Sequence, residues 1–299
     1  MSLVEMTKLD HMRYFTPPAG FILKGRDGMV SIPWDGKPPI PLPDEDWLSA
    51  NEAGHVDYDT AGNGIYQALR LNPDCVCAKE YACILRDAYP HIISEIGGNV
   101  IMLDAKEIDT PYVDRKINGL KIMALLEADN PLLQLEIARA FADRGSRLST
   151  LNKSVESWYA AERHFARALE LDPHNSHAGY EHGEALYILG RYLQASEKWS
   201  NILPALDDEG KRKVSSRIYA ILAGKVPLVP PLDYLTAISV ALEEHHAGKS
   251  DEAVAIIEDV LADQLFAEQF PLNEIYYLLG KCYEEIGMPD KAEEAFKRS

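Results

Sequence analysis

Nowhere in this chain of 299 residues do the roughly 18 consecutive apolar positions of a membrane-spanning helix occur. The opening residues MSLVEMTKLDHMRYF lack the basic start and apolar stretch of a secretory signal. Both absences lead to the expectation of a cytoplasmic protein that engages no membrane. Positive charge is scarce as well. Lys and Arg number 30 against 47 Asp and Glu, a formal net charge of −17. The deficit is even: residues 1–130 hold 12 against 20, and residues 131–299 hold 18 against 27. A protein that grips a phosphate backbone gathers positive charge on one face. The one basic cluster, Lys211, Arg212 and Lys213 with Arg217, directly follows Asp207, Asp208 and Glu209, and reads as a solvated helix face. Nucleic acid is therefore not expected as a partner, and basic or neutral proteins are.

Cysteine is sparse, and the four present (Cys75, Cys77, Cys83 and Cys282) do not form a Cys-x-x-Cys pair. If Cys75 and Cys77 share a helix, they point about 200° apart and cannot converge on a metal. They are expected to be small buried thiols in a reduced compartment. Walker-type loops, Gly-x-Ser-x-Gly elbows and His-Glu-x-x-His helices are absent too.

What the chain does contain is an internal repeat. Near the C-terminus stands Tyr276-x2-Leu279-Gly280-x2-Tyr283, then Gly287, then Ala292-x3-Phe296. A second copy has Gly183, Leu186, Gly190 and Ala195-x3-Trp199, and a third has Val240, Ala241, Gly248 and Ala253-x3-Ile257. Two further second helices run from Ala161 through Phe165 and Ala168 to Pro173, and from Ala61 through Ile65 and Ala68 to Pro73. Small residues at these places let two antiparallel helices approach closely against a large side chain, and a glycine can end the first helix in a left-handed conformation. The pattern resembles the tetratricopeptide repeat (TPR), a helix-turn-helix unit of about 34 residues. That resemblance implies an all-α fold, a right-handed α-solenoid of helix pairs. It is strongest over 131–299 and continues over 57–130 as degenerate repeats.

The spacings of the turn glycines also locate insertions. Gly145 to Gly190 is 45 residues, Gly190 to Gly248 is 58 and Gly248 to Gly287 is 39. The excess of 24 over the second interval leaves room for an extra helix near 207–225. The excess of 11 over the first falls at RLSTLNKSVES and is expected to lengthen the helix containing Trp158. Residues 1–56 differ from the rest. FILKGRDGMVSIPW reads as a β-hairpin around Gly25-Arg26-Asp27-Gly28, and DGKPPIPLPDED as an extended proline-rich run packing along the solenoid as a cover.

Three histidines within HNSHAGYEHG invite a metal. On one helix, however, His177 and His182 lie about 140° apart, so their rings leave different faces. His174 precedes the helix, His182 is expected in the core, and His177 and Glu181 have the spacing of a helix-face pair. His245 and His246 read as a solvated helix end. In DYDTAGNG (57–64), Asp57 or Asp59 reads as a helix cap. No metal and no cofactor are expected.

The TPR resemblance implies a concave groove, lined by first helices, that binds a peptide or partner helix. Carried across position by position, the candidate ligand-binding residues are His177, Tyr180, Glu181, Glu184 and Tyr187 in one copy, and Tyr277 and Lys281 in the last. A subclass that holds C-terminal carboxylates uses Lys and Asn where this chain has Tyr180 and Glu184. The expected function is a non-catalytic protein–protein interaction adaptor. The alternatives are an enzyme or enzyme subunit with its site where the N-terminal segment meets the solenoid, and a scaffold that self-assembles into a homo-oligomer through an uncapped C-terminal helix pair.

Overall fold

Prolines two apart build the first sheet. In the computed structural model, which describes residues 9, 11–25, 31–104, 110–270 and 273–299, strand β1 (Met12–Phe15) pairs antiparallel with β4 (Ile40–Pro43), Phe15 opposite Ile40 and Met12 opposite Pro43. Pro41 and Pro43 lack an N–H and share one edge of the strand, so pairing to β1 runs through Ile40 and Leu42, both fully buried. The proline-rich run is extended and packed, as expected, and its Ile40–Pro43 stretch also pairs as a strand with β1. Between them β2 (Ile22–Lys24) pairs with β3 (Ser31–Pro33) as the expected hairpin. Of its turn, Arg26, Asp27 and Gly28 lie outside the described residues.

Helix α1 (Asp44–Ala53) opens with three carboxylates, Asp44, Glu45 and Asp46, which suit the positive end of a helix dipole. The helices α2 (Tyr58–Leu71), α3 (Ala78–Ala88), α4 (Pro90–Asp104) and α5 (Thr110–Leu126) follow. Asp57 caps α2, accepting from the Thr60 N–H at 2.9 Å. At Gly64 any side chain would overlap the Pro41 carbonyl, so glycine is what lets β4 lie directly on α2. Tyr81 on α3 donates to the Pro39 carbonyl at 2.7 Å. Phe15, Trp34 and Leu42 share one core with Tyr81, Leu85 and Ile96. The N-terminal strands and these helices therefore form a single unit, Met1–Leu133.

The second unit, Gln134–Ser299, is built of paired helices. Helix α6 (Pro131–Ser146) leads into a 3-10 turn (Leu148–Lys153) and α7 (Ser154–Leu171). Then come α8 (Ser176–Ile188) with α9 (Tyr192–Ile202), the inserted α10 (Asp208–Leu222), α11 (Pro231–His246) with α12 (Ser250–Ala262), the short α13 (Gln264–Gln269), and α14 (Asn273–Glu285) with α15 (Pro289–Arg298). Gly190, Gly248 and Gly287 end the first helix of each pair at φ 73°, 77° and 76°.

The structure departs from the sequence pattern at two places around Trp158. Gly145 is not a turn residue: it lies inside α6, where a Cβ would come within 2.9 Å of the Trp158 indole, so it is a packing glycine. The insertion after it does not chiefly lengthen the Trp158 helix. Its middle forms the separate 3-10 turn, whose Leu151 is buried in the core formed by α11, α12 and α14.

Candidate functional site

The face of α8 is occupied from within the protein. Glu181 accepts from Arg139 of α6, from Nε at 2.8 and 3.0 Å and from Nη2 at 2.6 Å. Glu184 is ion-paired with Arg217 of α10, whose guanidinium lies 4.2 Å from the Trp199 ring centre and 5.0 Å from that of Tyr187. Tyr187 is buried, and its hydroxyl donates to Gln269 of α13. Tyr180 is half-buried against Trp199, which donates its indole N–H to the Tyr180 carbonyl at 3.1 Å. Burial raises the Tyr180 pKa, and the Glu184 carboxylate adds to the rise. Only His177, exposed in the first turn, lies open to solvent on this face.

The other two candidates line an open cleft. Leu242 and His246, four apart on α11, face Glu274, Tyr277 and Lys281, spaced three and four apart on α14, and Leu148 of the 3-10 turn closes one side. The space is about 470 Å³ and adjoins another of about 570 Å³ reaching Ser239, Glu243 and Arg147. Tyr277 is 54% exposed, its ring tilted 52° against that of Phe296 of α15 with ring centres 5.7 Å apart. The Lys281 ammonium sits 5.9 Å from the Tyr277 ring and 2.9 Å from Glu284. Arg147 is paired with Asp143 at 2.8 Å, whereas Glu243 and Glu274 have no cation partner among the described residues. The cleft therefore offers an aliphatic floor, one exposed aromatic ring and uncompensated negative charge. The sequence reading did not place Leu148, Leu242, Glu243 or His246 in the site; Leu148 comes from the turn insertion, which has no counterpart in the repeat.

His245, which also lines this cleft, is half-buried rather than solvated. Its Nδ1 lies 3.3 Å from Ser250 Oγ, 3.3 Å from a Glu285 carboxylate oxygen and 3.6 Å from Cys282 Sγ. A nucleophile–base–acid relay needs the two nitrogens of the ring on different partners, and here all three groups crowd onto one. Cys282 is fully buried, and that burial pushes its thiol up to about 11, so it is a thiol and not a nucleophilic thiolate at neutral pH. Cys75 and Cys77 are likewise buried with raised pKa values, burial again being the main cause. They sit in the turn before α3 rather than on a helix, and Cys83 is exposed.

His182 is in the core, 3% exposed, with Nε2 3.4 Å from Glu162. Among the described residues no cluster of three or more His, Cys, Asp or Glu has a metal-holding arrangement, and no helix is long and apolar enough to cross a membrane.

Close antiparallel pairs joined at left-handed glycines, with a small residue of one helix against a large ring of the next, define an all-α solenoid of TPR-like pairs with insertions and a small N-terminal β segment. No protein-family model matches the chain, and no curated protein matches it. Among solved structures it is similar to MamA, at 16% identity over 70% of this chain and 88% of that one, with a TM-score of 0.25. It is similar also to human IFIT1, solved as a dimer with PPP-AAAA, at 19% identity over 80% of this chain and 57% of that one, TM-score 0.35. A tetratricopeptide repeat protein from Parabacteroides merdae matches at 17% identity over 84% and 88%, TM-score 0.32. Likenesses this distant carry no argument about partner or site; the helix packing itself carries the fold.

Proposed function

We propose that the protein is a non-catalytic protein–protein interaction adaptor, cytoplasmic, and that the cleft over α11 and α14 takes a peptide segment of another protein. The observation that carries this reading is Tyr277: a large aromatic ring left more than half exposed over an apolar floor, beside carboxylates with no cation partner. Aromatic side chains of this kind supply contact area at low conformational cost and are common energetic centres of interfaces. Glu243 and Glu274 favour a peptide that places a basic residue next to an apolar one. Lys281 holds the rim, with His246 opposite. On α8, His177 and Tyr180 extend the binding face. Glu181 and Glu184 join it only by giving up Arg139 and Arg217, and Tyr187 contributes by holding Gln269. The single-nitrogen geometry at His245 supports a binding role over a catalytic one.

The test is a random-peptide selection on the immobilised full chain, followed by fluorescence anisotropy of the enriched peptide against wild type, Tyr277→Ala and the Glu243→Gln/Glu274→Gln pair. Each variant should weaken binding by about tenfold, near 1.4 kcal/mol. Equal affinity for all three proteins would move the site elsewhere.

A further inference from the structure

The N-terminal unit holds a second concavity, about 520 Å³, between α2, α4 and α5. That is within the range of small-molecule sites, roughly 300–1,000 Å³. Its lining has two halves. One is aliphatic: Leu71, Ile96, Val100, Met102 and Ile122, of which Leu71 is 51% and Met102 58% exposed. The other carries two guanidinium groups, Arg70 of α2 and Arg115 of α5.

Neither arginine has a carboxylate partner among the described residues, whereas most others do, Arg139, Arg147 and Arg217 among them. In a chain of net charge −17, a pair of uncompensated cations lining one cavity is unexpected on composition alone. Each guanidinium instead rests on a tyrosine, Arg70 over Tyr66 at 5.5 Å and Arg115 over Tyr112 at 5.6 Å, a placement that leaves the N–H donors free. Asn118 donates to the Arg70 carbonyl at 3.0 Å and ties α5 to the last turn of α2. The planar five-donor fork of arginine matches a carboxylate in two-pronged geometry. The body of the ligand follows from the rest of the wall. Among the described residues Tyr66 is the one aromatic residue in the lining, and it is buried with Arg70 over its ring, so none of them offers a ring to stack a nucleobase or an aromatic acid.

We propose that this cavity binds an aliphatic carboxylate, its acid group held by Arg70 and Arg115 and its chain lying on Leu71, Val100, Met102 and Ile122. The site is independent of the peptide cleft and uses none of its residues.

Decanoate titrated calorimetrically into the full chain, below its micelle-forming concentration, tests it. One saturable site per chain is expected. Decanol, which lacks the charge, and inorganic phosphate, which lacks the chain, should each bind at least tenfold more weakly. Arg70→Gln/Arg115→Gln should weaken decanoate at least tenfold with the melting temperature unchanged, since both side chains are exposed. Met102→Glu, at the exposed rim, should do the same by an independent route. The proposal is overturned if decanoate shows no saturable binding, if decanol or phosphate binds as well as decanoate does, or if neither variant changes the affinity.

Discussion

Arg139 on α6 and Glu181 on α8, 42 residues apart in sequence, meet through two guanidinium nitrogens at 2.6–3.0 Å, and Arg139 also holds Glu136 at 2.7 Å. A carboxylate already satisfied in this way has little left for a ligand. Both side chains keep a quarter or more of their surface in water, which limits the pair's contribution to about 1 kcal/mol. A double-mutant cycle of Arg139→Gln and Glu181→Gln, read by urea unfolding, should return a coupling of that size, falling as salt is added. Affinity for a peptide in the α11–α14 cleft should not change.

Gly183 and Gly280 occupy equivalent places, and their neighbours differ in freedom. A Cβ at Gly183 would overlap Trp199, which is fully buried and fixed by its bond to the Tyr180 carbonyl. A Cβ at Gly280 would overlap Phe296, half-buried on the last helix and able to yield. Gly183→Ala should cost about 1–3 kcal/mol and Gly280→Ala less, measured as the shift in urea midpoint at constant slope.

Burial lowers the His182 pKa below 6.5, partly offset by its contact with Glu162, while the nearby Lys198 and Arg191 charges push it further down. Its Nδ1 is buried without a hydrogen-bond partner among the described residues, so a proton there is unwelcome in the folded state. The unfolded chain binds that proton more readily, so folding stability is full above pH 6.5 and falls as pH drops from 6.5 towards the folded value. His182→Gln should flatten this segment of the stability–pH curve.

Asp263 is the buried junction of the inserted segment. It accepts from the Leu228 N–H and the Tyr234 hydroxyl at 2.7 Å each, and from the Leu265 and Phe266 N–H groups at 3.0 and 3.3 Å. Burial acts to raise its pKa, but these bonds, led by Leu228, outweigh it and hold the group below 3.8. The stability it supplies is present above the unfolded pKa and is lost as pH falls through the folded one. Asp263→Ala should cost about 3 kcal/mol, by leaving several donors unpaired, and Asp263→Asn less, both by chemical denaturation.

Helix pairing was legible in the sequence wherever small and large residues recur at fixed spacing, as at Gly183 with Trp199 and Gly280 with Phe296, because that spacing is the packing itself. Gly145 misled because an identical glycine serves a turn or a close approach, and sequence alone does not say which. The strand pairing of the proline run was not legible because prolines two apart are compatible both with an extended run packed on helices and with a strand paired along its other edge. At the candidate site, Tyr277 and Lys281 could be placed on a first-helix face by periodicity. What covers the α8 glutamates could not, since Arg217 comes from the insertion and Arg139 from a helix with a displaced turn. Leu148 entered the cleft from the other insertion.

The adaptor reading stands most directly on where a bound peptide lies. A photo-crosslinking amino acid placed at position 277, or as a control at position 219 on α10, where Tyr219 is 70% exposed and does not line the cleft, would report this after illumination with the selected peptide and mass spectrometry. The account predicts a saturable crosslink from position 277, suppressed by excess unlabelled peptide, and none above background from position 219. Equal crosslinking from both positions, or crosslinking from position 219 alone, would contradict it.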